Sequence, residues 1–357
     1  MPIRVSVMTA AIAIAASVAA FAGAASPGNS FTVTNLVADS GSSAPNTDPA
    51  LVNGWGLSAG PTTPWWASDN GTNESTLYNG TGAKQALTVT VAGGPTGTVF
   101  NGNASDFVVT QNGVSGAARF LFSTQAGTIL GWSPTVNATT AIPGVDRSSQ
   151  KAVYRGLATL NNRLYATDFH NNRVDVFDAS FRPVTLARGF RDAKLPKGYA
   201  PFGIQALGGS IFVTYAKQDT AKRVDVPGGG RGYVDEYTPD GKLVARVASG
   251  GRKNAPPNAP WGLALAPSNF GPFSGDLLVG NFGNGRISAY HDRGNGKWGF
   301  AGQLRRGDGT PIAIDGLWAI AFGNGSAAGP TTSLYFLAGP NGETHGLFGA
   351  ITAGLST

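Results

Sequence analysis

Short apolar segments separated by polar turns recur along the chain, and one kind of segment repeats as a triplet. A bulky residue comes first, glycine second and leucine or isoleucine third, and a degenerate copy has alanine in the central position. The copies are Trp55-Gly56-Leu57, Arg155-Gly156-Leu157, Phe202-Gly203-Ile204, Trp261-Gly262-Leu263 and Trp318-Ala319-Ile320. Their central residues are 100, 47, 59 and 57 positions apart, so the first interval is expected to contain one further copy, near Asp106-Phe107-Val108-Val109. The repeat therefore has six units.

Each triplet is followed by a second apolar run and then by a third run, in which apolar and polar residues alternate. Leu164-Tyr165-Ala166-Thr167-Asp168 is a second run, and Arg173-Val174-Asp175-Val176-Phe177 is a third. Alternation with a period of two is the pattern of a half-buried β-strand. A hairpin turn at Asp240-Gly241 leads to a fourth strand. Four short strands in each of six units predict an all-β fold, a six-bladed β-propeller with four-stranded blades.

The two ends of the chain are expected to meet in one blade. The last unit stops after its third strand, while residues 31–37 form an apolar strand segment before the first unit. We expect this N-terminal strand to complete the last blade and close the ring, which leaves no long unpaired sheet edge. A single propeller domain is predicted over residues 30–357.

The first residues have the pattern of a signal peptide. Arg4 precedes an apolar run over residues 5–22, and Ala22-Gly23-Ala24 offers the small residues that a signal peptidase reads. Residues 1–24 are therefore predicted to be a signal peptide, and the protein is expected to be secreted or periplasmic, without a transmembrane segment after signal removal. The chain contains no cysteine, so its stability has to come from burial and hydrogen bonding rather than from disulfides.

Several of these segments together resemble a known class of propellers. The triplets, Tyr165-Ala166-Thr167-Asp168 and Tyr237-Thr238-Pro239-Asp240-Gly241-Lys242 are similar to NHL-type repeats. The order of Asn53-Gly54-Trp55-Gly56-Leu57, Trp66-Ala67-Ser68-Asp69-Asn70 and Ala259-Pro260-Trp261-Gly262-Leu263 resembles a family of secreted six-bladed NHL-like propellers of unsettled function. The resemblance covers nearly the whole mature chain and implies the fold, but it implies no reaction.

Charge narrows the range of partners. The formal net charge is +6, and charged residues make up only 13% of the chain. The basic residues are not interleaved with aromatic residues in a stripe, so nucleic acid is not an expected partner. A small molecule, a polysaccharide or an envelope component is expected instead. The longest loop, residues 216–231, is basic and glycine-rich, and it is interpreted either as a solvated insertion or as a binding lid.

Polar residues that are far apart in sequence are expected to meet on the channel face of the propeller, where loops of all blades open. The predicted ligand-binding residues on this face are Asn53, Asp69, Tyr215, Asn281 and Asp315. Oxygen-rich side chains suit Ca²⁺, and Asp69, Asp168 and Asp315 are predicted to be its ligands. Asp and Asn also form tight turns, because their side chains satisfy nearby backbone groups, so structural turns are the alternative.

The residues do not form a recognisable set of nucleophile, base and orienting group. Asp168 and His170 are the candidates for acid–base chemistry. We therefore expect a non-catalytic binding or scaffold propeller, and the alternative is a lactonase or esterase-like hydrolase that uses a divalent cation at the central channel. The repeated Trp55, Trp261 and Trp318 are expected to pack between blades.

Overall fold

Strands make up nearly all of the regular structure in the computed structural model, which describes residues 28–41 and 43–354. The predicted signal peptide, residues 1–24, lies outside the described residues. No helix among the residues described is long and apolar enough to cross a membrane.

The strands are short and evenly distributed along the chain. The first are β1 (Phe31–Ala38), β2 (Asn46–Thr47), β3 (Gly54–Ser58), β4 (Trp65–Asp69), β5 (Glu74–Tyr78), β6 (Lys84–Thr90), β7 (Pro95–Phe100), β8 (Val108–Gln111), β9 (Val114–Ala117), β10 (Phe120–Thr124), β11 (Thr128–Trp132), β12 (Ile142–Asp146) and β13 (Tyr154–Leu160). They are followed by β14 (Arg163–Asp168), β15 (Arg173–Phe177), β16 (Tyr199–Leu207), β17 (Ser210–Lys217), β18 (Gly232–Tyr237), β19 (Leu243–Ser249), β20 (Pro260–Leu265), β21 (Leu277–Asn281), β22 (Ile287–Asp292), β23 (Trp298–Gln303), β24 (Leu317–Phe322), β25 (Ser333–Ala338) and β26 (Leu347–Ala353). Three single helical turns, Ser148–Gln150, Gly271–Phe273 and Pro340–Glu343, lie in loops.

These strands form six antiparallel blades around a common axis. From the axis outward, blade 1 is β3-β4-β5-β6, blade 2 is β7-β10-β11-β12, blade 3 is β13-β14-β15, blade 4 is β16-β17-β18-β19, blade 5 is β20-β21-β22-β23 and blade 6 is β24-β25-β26-β1. The short strand β2 pairs in parallel with β1 on its outer side. The prediction of an all-β, six-bladed propeller is confirmed.

Strand β1 closes the ring, as predicted. It runs antiparallel to β26, with Phe31 opposite Ala353. The Phe31 ring is buried against Phe270 and Phe273 of the β20–β21 loop, with ring centroids 5.0 and 6.1 Å away. The outer edge of β26 is therefore covered by the N-terminal strand, and aromatic packing ties that strand to the neighbouring blade.

Glycine is required in the triplets because neighbouring inner strands approach each other closely. At Gly56, Gly203 and Gly262 an added Cβ would overlap the backbone of the next blade, and at Gly156 it would lie 3.1 Å from the carbonyl oxygen of Phe202. The inner strands also shift register at this point, which re-aims the preceding residue toward the axis. The triplet thus marks the closest approach between consecutive blades.

The position predicted for the second copy of the triplet is wrong. The inner strand of blade 2 is β7, where Thr96-Gly97-Thr98 takes the triplet position and a Cβ on Gly97 would overlap the backbone at Leu157. Residues 106–109 belong instead to a loop and to the hairpin β8–β9, which is inserted between the first two strands of the blade. A threonine in place of the bulky first residue hides the true copy, and the inserted hairpin shifts the spacing.

Blade 3 departs from the four-stranded pattern of the other blades. Its outermost strand is β15, and a single bridge between Phe177 and Pro183 follows before the chain leaves the sheet. Residues 184–198 then run irregularly to β16. Proline lacks the N–H that a strand ladder requires, and Pro183 and Pro196 stand near the two ends of this segment.

Candidate functional site

Five side chains that precede the central residues of the triplets meet at the axis of the propeller. They are Trp55, Arg155, Phe202, Trp261 and Trp318. In blade 2 the hydroxyl of Thr96 bonds instead to Ser123 and to the carbonyl oxygen of Tyr154. Trp318 stacks on Trp55 at a centroid distance of 3.6 Å and lies edge-on to Trp261 at 5.7 Å. Phe282, from the loop after β21, stacks on Trp318 at 4.1 Å. These rings form an aromatic floor in the channel, and the inter-blade packing expected for the tryptophans is confirmed.

Arg155 occupies a position that other copies of the repeat fill with an aromatic residue, and it is only 4% exposed. Its guanidinium lies 5.0 Å from the centre of the Trp55 ring and 5.8 Å from that of Phe169, in cation–π geometry. It donates to the carbonyl oxygen of Arg223, while its Nε has no partner among the described residues. Within that part of the chain, no carboxylate oxygen lies within 4.0 Å of the guanidinium. Burial lowers the pKa of Arg155 to about 10.

Residues 218–231, called the strap below, cross over Arg155 at the mouth of the channel. Gln218 donates to the carbonyl oxygen of Phe169 at 2.6 Å, and the Gly228 N–H donates to the side-chain oxygen of Asn258 at 2.6 Å. Arg155 itself holds the middle of the strap through the carbonyl of Arg223. Further backbone bonds join the strap to the body, among them the Gln218 N–H to the carbonyl oxygen of Gly198 at 2.8 Å and the Ala259 N–H to that of Arg231 at 3.0 Å. The strap is therefore an ordered segment across the mouth, which favours the lid interpretation of this loop over a solvated insertion.

Asp225 of the strap is a carboxyl group close enough to Arg155 for their charges to interact. Its Oδ2 is buried and has no hydrogen-bond partner in the described part of the chain. Burial raises the pKa of Asp225 to about 6, and the positive charge of Arg155 opposes that rise. A carboxyl group that titrates near neutral pH in an enclosed site is suited to ligand binding or proton transfer.

Asn53 and Glu343 form another part of the rim. Their φ values are +51° and +69°, in the left-handed region that asparagine tolerates and that strains glutamate. The Asn53 amide donates to the Glu343 carboxylate at 3.1 Å, and the Asn53 oxygen accepts from the indole of Trp318 at 3.2 Å. The charge of Glu343 also acts on Arg155 and Asp225. The structure therefore places Asn53, a predicted ligand-binding residue, at the mouth of the channel.

His170 directly follows Phe169, so this acid–base candidate lies on a loop that also forms the mouth. Four buried polar atoms of this region lack a hydrogen-bond partner among the described residues: Nε1 of Trp55, Nε of Arg155, Nδ1 of His170 and Oδ2 of Asp225. Nearly all buried polar groups in proteins are paired. Such a concentration of unpaired donors and acceptors indicates a place for a polar ligand or for ordered water.

Asp69 and Asp168 occupy equivalent positions at the ends of β4 and β14, and each accepts hydrogen bonds from residues of its own blade. Asp69 accepts from the N–H and the hydroxyl of Thr76 at 2.9 and 2.8 Å. Asp168 accepts from the N–H of Val153 at 3.1 Å and from the amide of Asn171 at 2.6 Å. Burial raises the pKa of both carboxyl groups. Such local contacts are expected if these residues stabilise tight turns, which is the alternative to a Ca²⁺ site.

Asn281 and Tyr215, the equivalents in blades 5 and 4, are also engaged in local bonds. The Asn281 oxygen accepts from the N–H of Asn258 at 2.9 Å, and so it supports the residue that anchors the strap. The hydroxyl of Tyr215 lies 2.6 Å from that of Tyr237, in the interior of blade 4. Asn281 therefore acts on the mouth through Asn258, whereas the Tyr215 hydroxyl belongs to a different polar network.

The three carboxylates predicted to bind Ca²⁺ are not gathered at one point. Asp315 is exposed and accepts from the N–H of Asn341 at 2.8 Å, while Asp69 and Asp168 are buried in blades 1 and 3. Over residues 28–41 and 43–354, no three His, Cys, Asp or Glu side chains are grouped so that they could hold a metal ion. Binding of Ca²⁺ by Asp69, Asp168 and Asp315 stays a prediction of the sequence.

Solved structures share the fold at low sequence identity. A streptogramin B lyase structure has a TM-score of 0.53 and 12% identity, over 91% of this chain and 98% of that chain. A protein of unknown function from Bacteroides thetaiotaomicron has a TM-score of 0.56 and 11% identity, over 90% of this chain and 76% of that chain. A luciferin-regenerating enzyme reaches 0.51 at 12% identity, over 86% of this chain and 92% of that chain. These likenesses show the fold alone.

Sequence relatives are found in a giant virus. An uncharacterized protein of Acanthamoeba polyphaga mimivirus is 33% identical over 230 residues, which are 63% of this chain and 42% of that protein, so the chain spans less than half of this relative. A second uncharacterized protein of the same virus is 29% identical over 334 residues, or 89% of this chain and 85% of that protein. No family model matches the chain.

Two residues of the mouth, Arg155 and Asp225, were not among the residues that the sequence singled out. Arg155 carries a visible signal, because it is the one charged residue in the first position of the triplets recognised from sequence. Asp225 carries none, since it lies in a loop whose path over the channel depends on the tertiary fold.

Proposed function

We propose that the protein is a binding propeller, exported by means of residues 1–24, that holds a small molecule at the mouth of its channel. The observation that carries this proposal is the buried guanidinium of Arg155, which has no carboxylate within 4.0 Å among the described residues. The carboxyl groups of Asp225, Glu343 and Asp219 act on this charge from beyond that distance and offset its burial only in part, since the pKa of Arg155 is still lowered. A buried charge without a direct ion pair is unfavourable. A ligand that supplies a carboxylate or a polarised carbonyl oxygen would relieve this penalty.

The residues around Arg155 indicate what other chemical groups the ligand should have. The aromatic floor of Trp55, Trp318 and Phe282 lies below the guanidinium. Trp55 and Trp318 are each only 1% exposed, so the floor would offer apolar surface to a ligand once the strap and the Arg155 side chain move aside. The unpaired atoms of Trp55 and Asp225 can bond further polar groups of a ligand. An aromatic carboxylate meets these requirements, because it combines a planar apolar body with an anionic end.

A ligand reaches this site when the strap moves. The two ends of the strap are held to the body by several side-chain and backbone bonds. Its tip, residues 220–224, is exposed and, among the described residues, bonds to groups outside the strap only through Arg155. Few bonds and high exposure are the properties of segments that open locally at low free-energy cost. We infer that the strap opens to admit the ligand and closes over it.

The first test replaces Arg155 by methionine. Arg155→Met keeps an apolar side chain over the aromatic floor and removes the charge, so the ligand-free variant should be as stable as the parent or more stable by about 1 kcal/mol. Aromatic carboxylates such as benzoate and salicylate should raise the melting temperature of the parent and leave that of the variant unchanged. Arg163→Met, which removes an exposed arginine paired with Asp240, is the control and should respond like the parent. An equal response of Arg155→Met and parent would refute binding at Arg155.

A second candidate function is an acid–base hydrolase of lactones or esters at the same mouth. Asp225, with a pKa of about 6, is placed to act as a general base, and Arg155 to polarise a carbonyl. Hydrolysis of γ-butyrolactone and 4-nitrophenyl acetate by the parent, with a rate that rises through pH 6 and is lost in Asp225→Asn, would support it. The cation-dependent form, with Asp168 or His170 as base, is tested in the same assay by adding Ca²⁺ or a chelator.

A further inference from the structure

Positive charge is concentrated on one side of the propeller. Residues 182–253 contain 13 of the 26 Lys and Arg residues of the chain but only 6 of its 20 Asp and Glu residues. Of these 13 basic residues, only Arg246 lies within 4.0 Å of a carboxylate oxygen in the described part of the chain. Blade 4 and the segment that leads into it therefore present a surface with a surplus of unpaired cations.

A cleft of about 580 Å³ opens within this basic surface, where blade 3 meets blade 4. Its lining combines apolar side chains with charged and amide side chains, and polar surface exceeds apolar surface. It is lined by Asn172, Phe190, Arg191, Asp192, Ala193, Leu195, Pro196, Lys197, Tyr199, Pro201 and Tyr215. The volume falls within the range of small-molecule sites.

The outer wall of the cleft is the segment that leaves blade 3 in place of a fourth strand. Phe190 anchors this segment across the junction, because its ring packs against Tyr165 of blade 3 at 5.7 Å and against Tyr237 of blade 4 at 5.2 Å. Its N–H also donates to the carbonyl oxygen of Gly241 at 3.2 Å. The missing strand is thus replaced by a wall that is fixed to both blades.

A buried polar network joins the two walls from below. The hydroxyl of Tyr237 lies 2.6 Å from that of Tyr215 and donates to Asp235 at 3.1 Å. Arg246 pairs with both Asp235 and Asp192. Asp192 and Tyr215 both line the cleft, so the network holds two parts of its lining in place. It also neutralises Asp192, which leaves Arg191 and Lys197 as the free charges of the lining.

We propose that this cleft is a second ligand site, which binds an organic anion with an apolar body, such as a medium-chain carboxylate. Leu195 and Pro196, apolar residues of the lining, would contact the hydrocarbon part, and Arg191 and Lys197 would bind the anionic group. The site is separate from Arg155 and does not rest on the function proposed for the channel mouth.

Calorimetric titration with octanoate and with octan-1-ol tests this site. The parent should bind octanoate more tightly than the neutral alcohol. The double variant Arg191→Gln/Lys197→Gln should weaken octanoate binding about tenfold, as expected for two exposed charge pairs, and should leave octanol binding unchanged. Arg252→Gln/Lys253→Gln removes the same charge from another exposed part of the basic surface and is the matched control. It should bind octanoate as the parent does.

A variant that fills the cleft with a bulky side chain distinguishes binding in the cleft from a general effect of the positive surface charge. Ala193 is exposed and lines the cleft, so Ala193→Trp should fill the space, keep the fold and abolish binding of both compounds. Arg155→Met should bind octanoate normally. Octanoate binding that survives Ala193→Trp, or equal losses in the two charge variants, would overturn the proposal. Co-sedimentation with phosphatidylglycerol vesicles that persists in Ala193→Trp would assign the basic surface to a membrane instead.

Discussion

Asp225 is the residue through which pH should act on the stability of the channel mouth. Burial favours its neutral form, so the folded protein retains the proton up to about pH 6, whereas the ordinary pKa is 3.8. Between these values the folded state binds more protons than the unfolded state. The free energy of unfolding must then fall as the pH rises from 4 to 6 and level off above that range.

We expect Asp225→Asn to remove this pH dependence. At pH 3 the variant and the parent should have similar free energies of unfolding, and at pH 8 the variant should be more stable by about 3 kcal/mol, the order of magnitude that a rise of about two pKa units represents. Urea unfolding at several pH values measures the difference. Asp240→Asn, in an exposed hairpin turn, is the control and should follow the parent. A constant difference between Asp225→Asn and parent across the pH range would contradict the raised pKa.

The sequence predicts individual residues of the channel mouth only where they belong to the repeated triplet or to a recognisable turn. The triplets predicted the aromatic residues at the axis, because packing between blades favours a bulky side chain at that position in most copies. The same regularity concealed Arg155, since a charged residue in a packing position was taken as one more copy. Asn and Asp side chains were assigned to a common site, although most of them bond to their own turns, which have the same composition.

At the level of the strand, Gly203 illustrates why the glycines of the triplets should be hard to replace. In Gly203→Ala the new Cβ would overlap the carbonyl oxygen of Trp261 in the next blade, so the inner strands would have to separate. We expect a loss of about 1–3 kcal/mol in the free energy of unfolding. At Gly102 the nearest atom to an added Cβ is 3.5 Å away, so Gly102→Ala should change stability little. Equal effects of the two substitutions would contradict the close approach of the blades.

Strand β1 should be essential for a closed ring. Phe31→Ala removes the buried ring that packs against Phe270 and Phe273, and we expect it to lower the free energy of unfolding by about 3 kcal/mol. Phe300→Ala, at a phenylalanine that is 50% exposed, is the matched control and should cost much less. Deletion of residues 28–38 should go further and cause aggregation, because it exposes the edge of β26. A deletion variant that melts like the parent would show that β1 does not close the ring.

The strands themselves were largely predictable, and the departures from regularity were not. Period-two alternation and the triplets locate second and third strands in all blades, because one face of each strand packs against the next blade. Blade 2 was misplaced, since Thr96 gives no aromatic signal and the β8–β9 hairpin changes the spacing. Blade 3 has no fourth strand, and the irregular wall that replaces it follows from contacts of Phe190 with two blades, which no local pattern records.

At the scale of the whole molecule, closure of the ring brings residues that are far apart in sequence together at the channel mouth. Trp55 of blade 1, Arg155 of blade 3, Asp225 in the strap of blade 4 and Glu343 of blade 6 are far apart in sequence and meet only because six blades surround one axis. The same arrangement places the basic surface and its cleft on the side of blades 3 and 4. The two proposed sites are therefore distinct regions of one rigid scaffold, and variants of one should leave the other intact.

The most direct test of the channel-mouth proposal is a high-resolution crystal structure of the protein with the aromatic carboxylate that stabilises it most. We expect the carboxylate to pair with the guanidinium of Arg155 beneath the strap, and the ring to lie on the aromatic floor of Trp55 and Trp318. A ligand bound elsewhere, with Arg155 paired to Asp225 in a closed mouth, would contradict the central claim that this mouth is a ligand site.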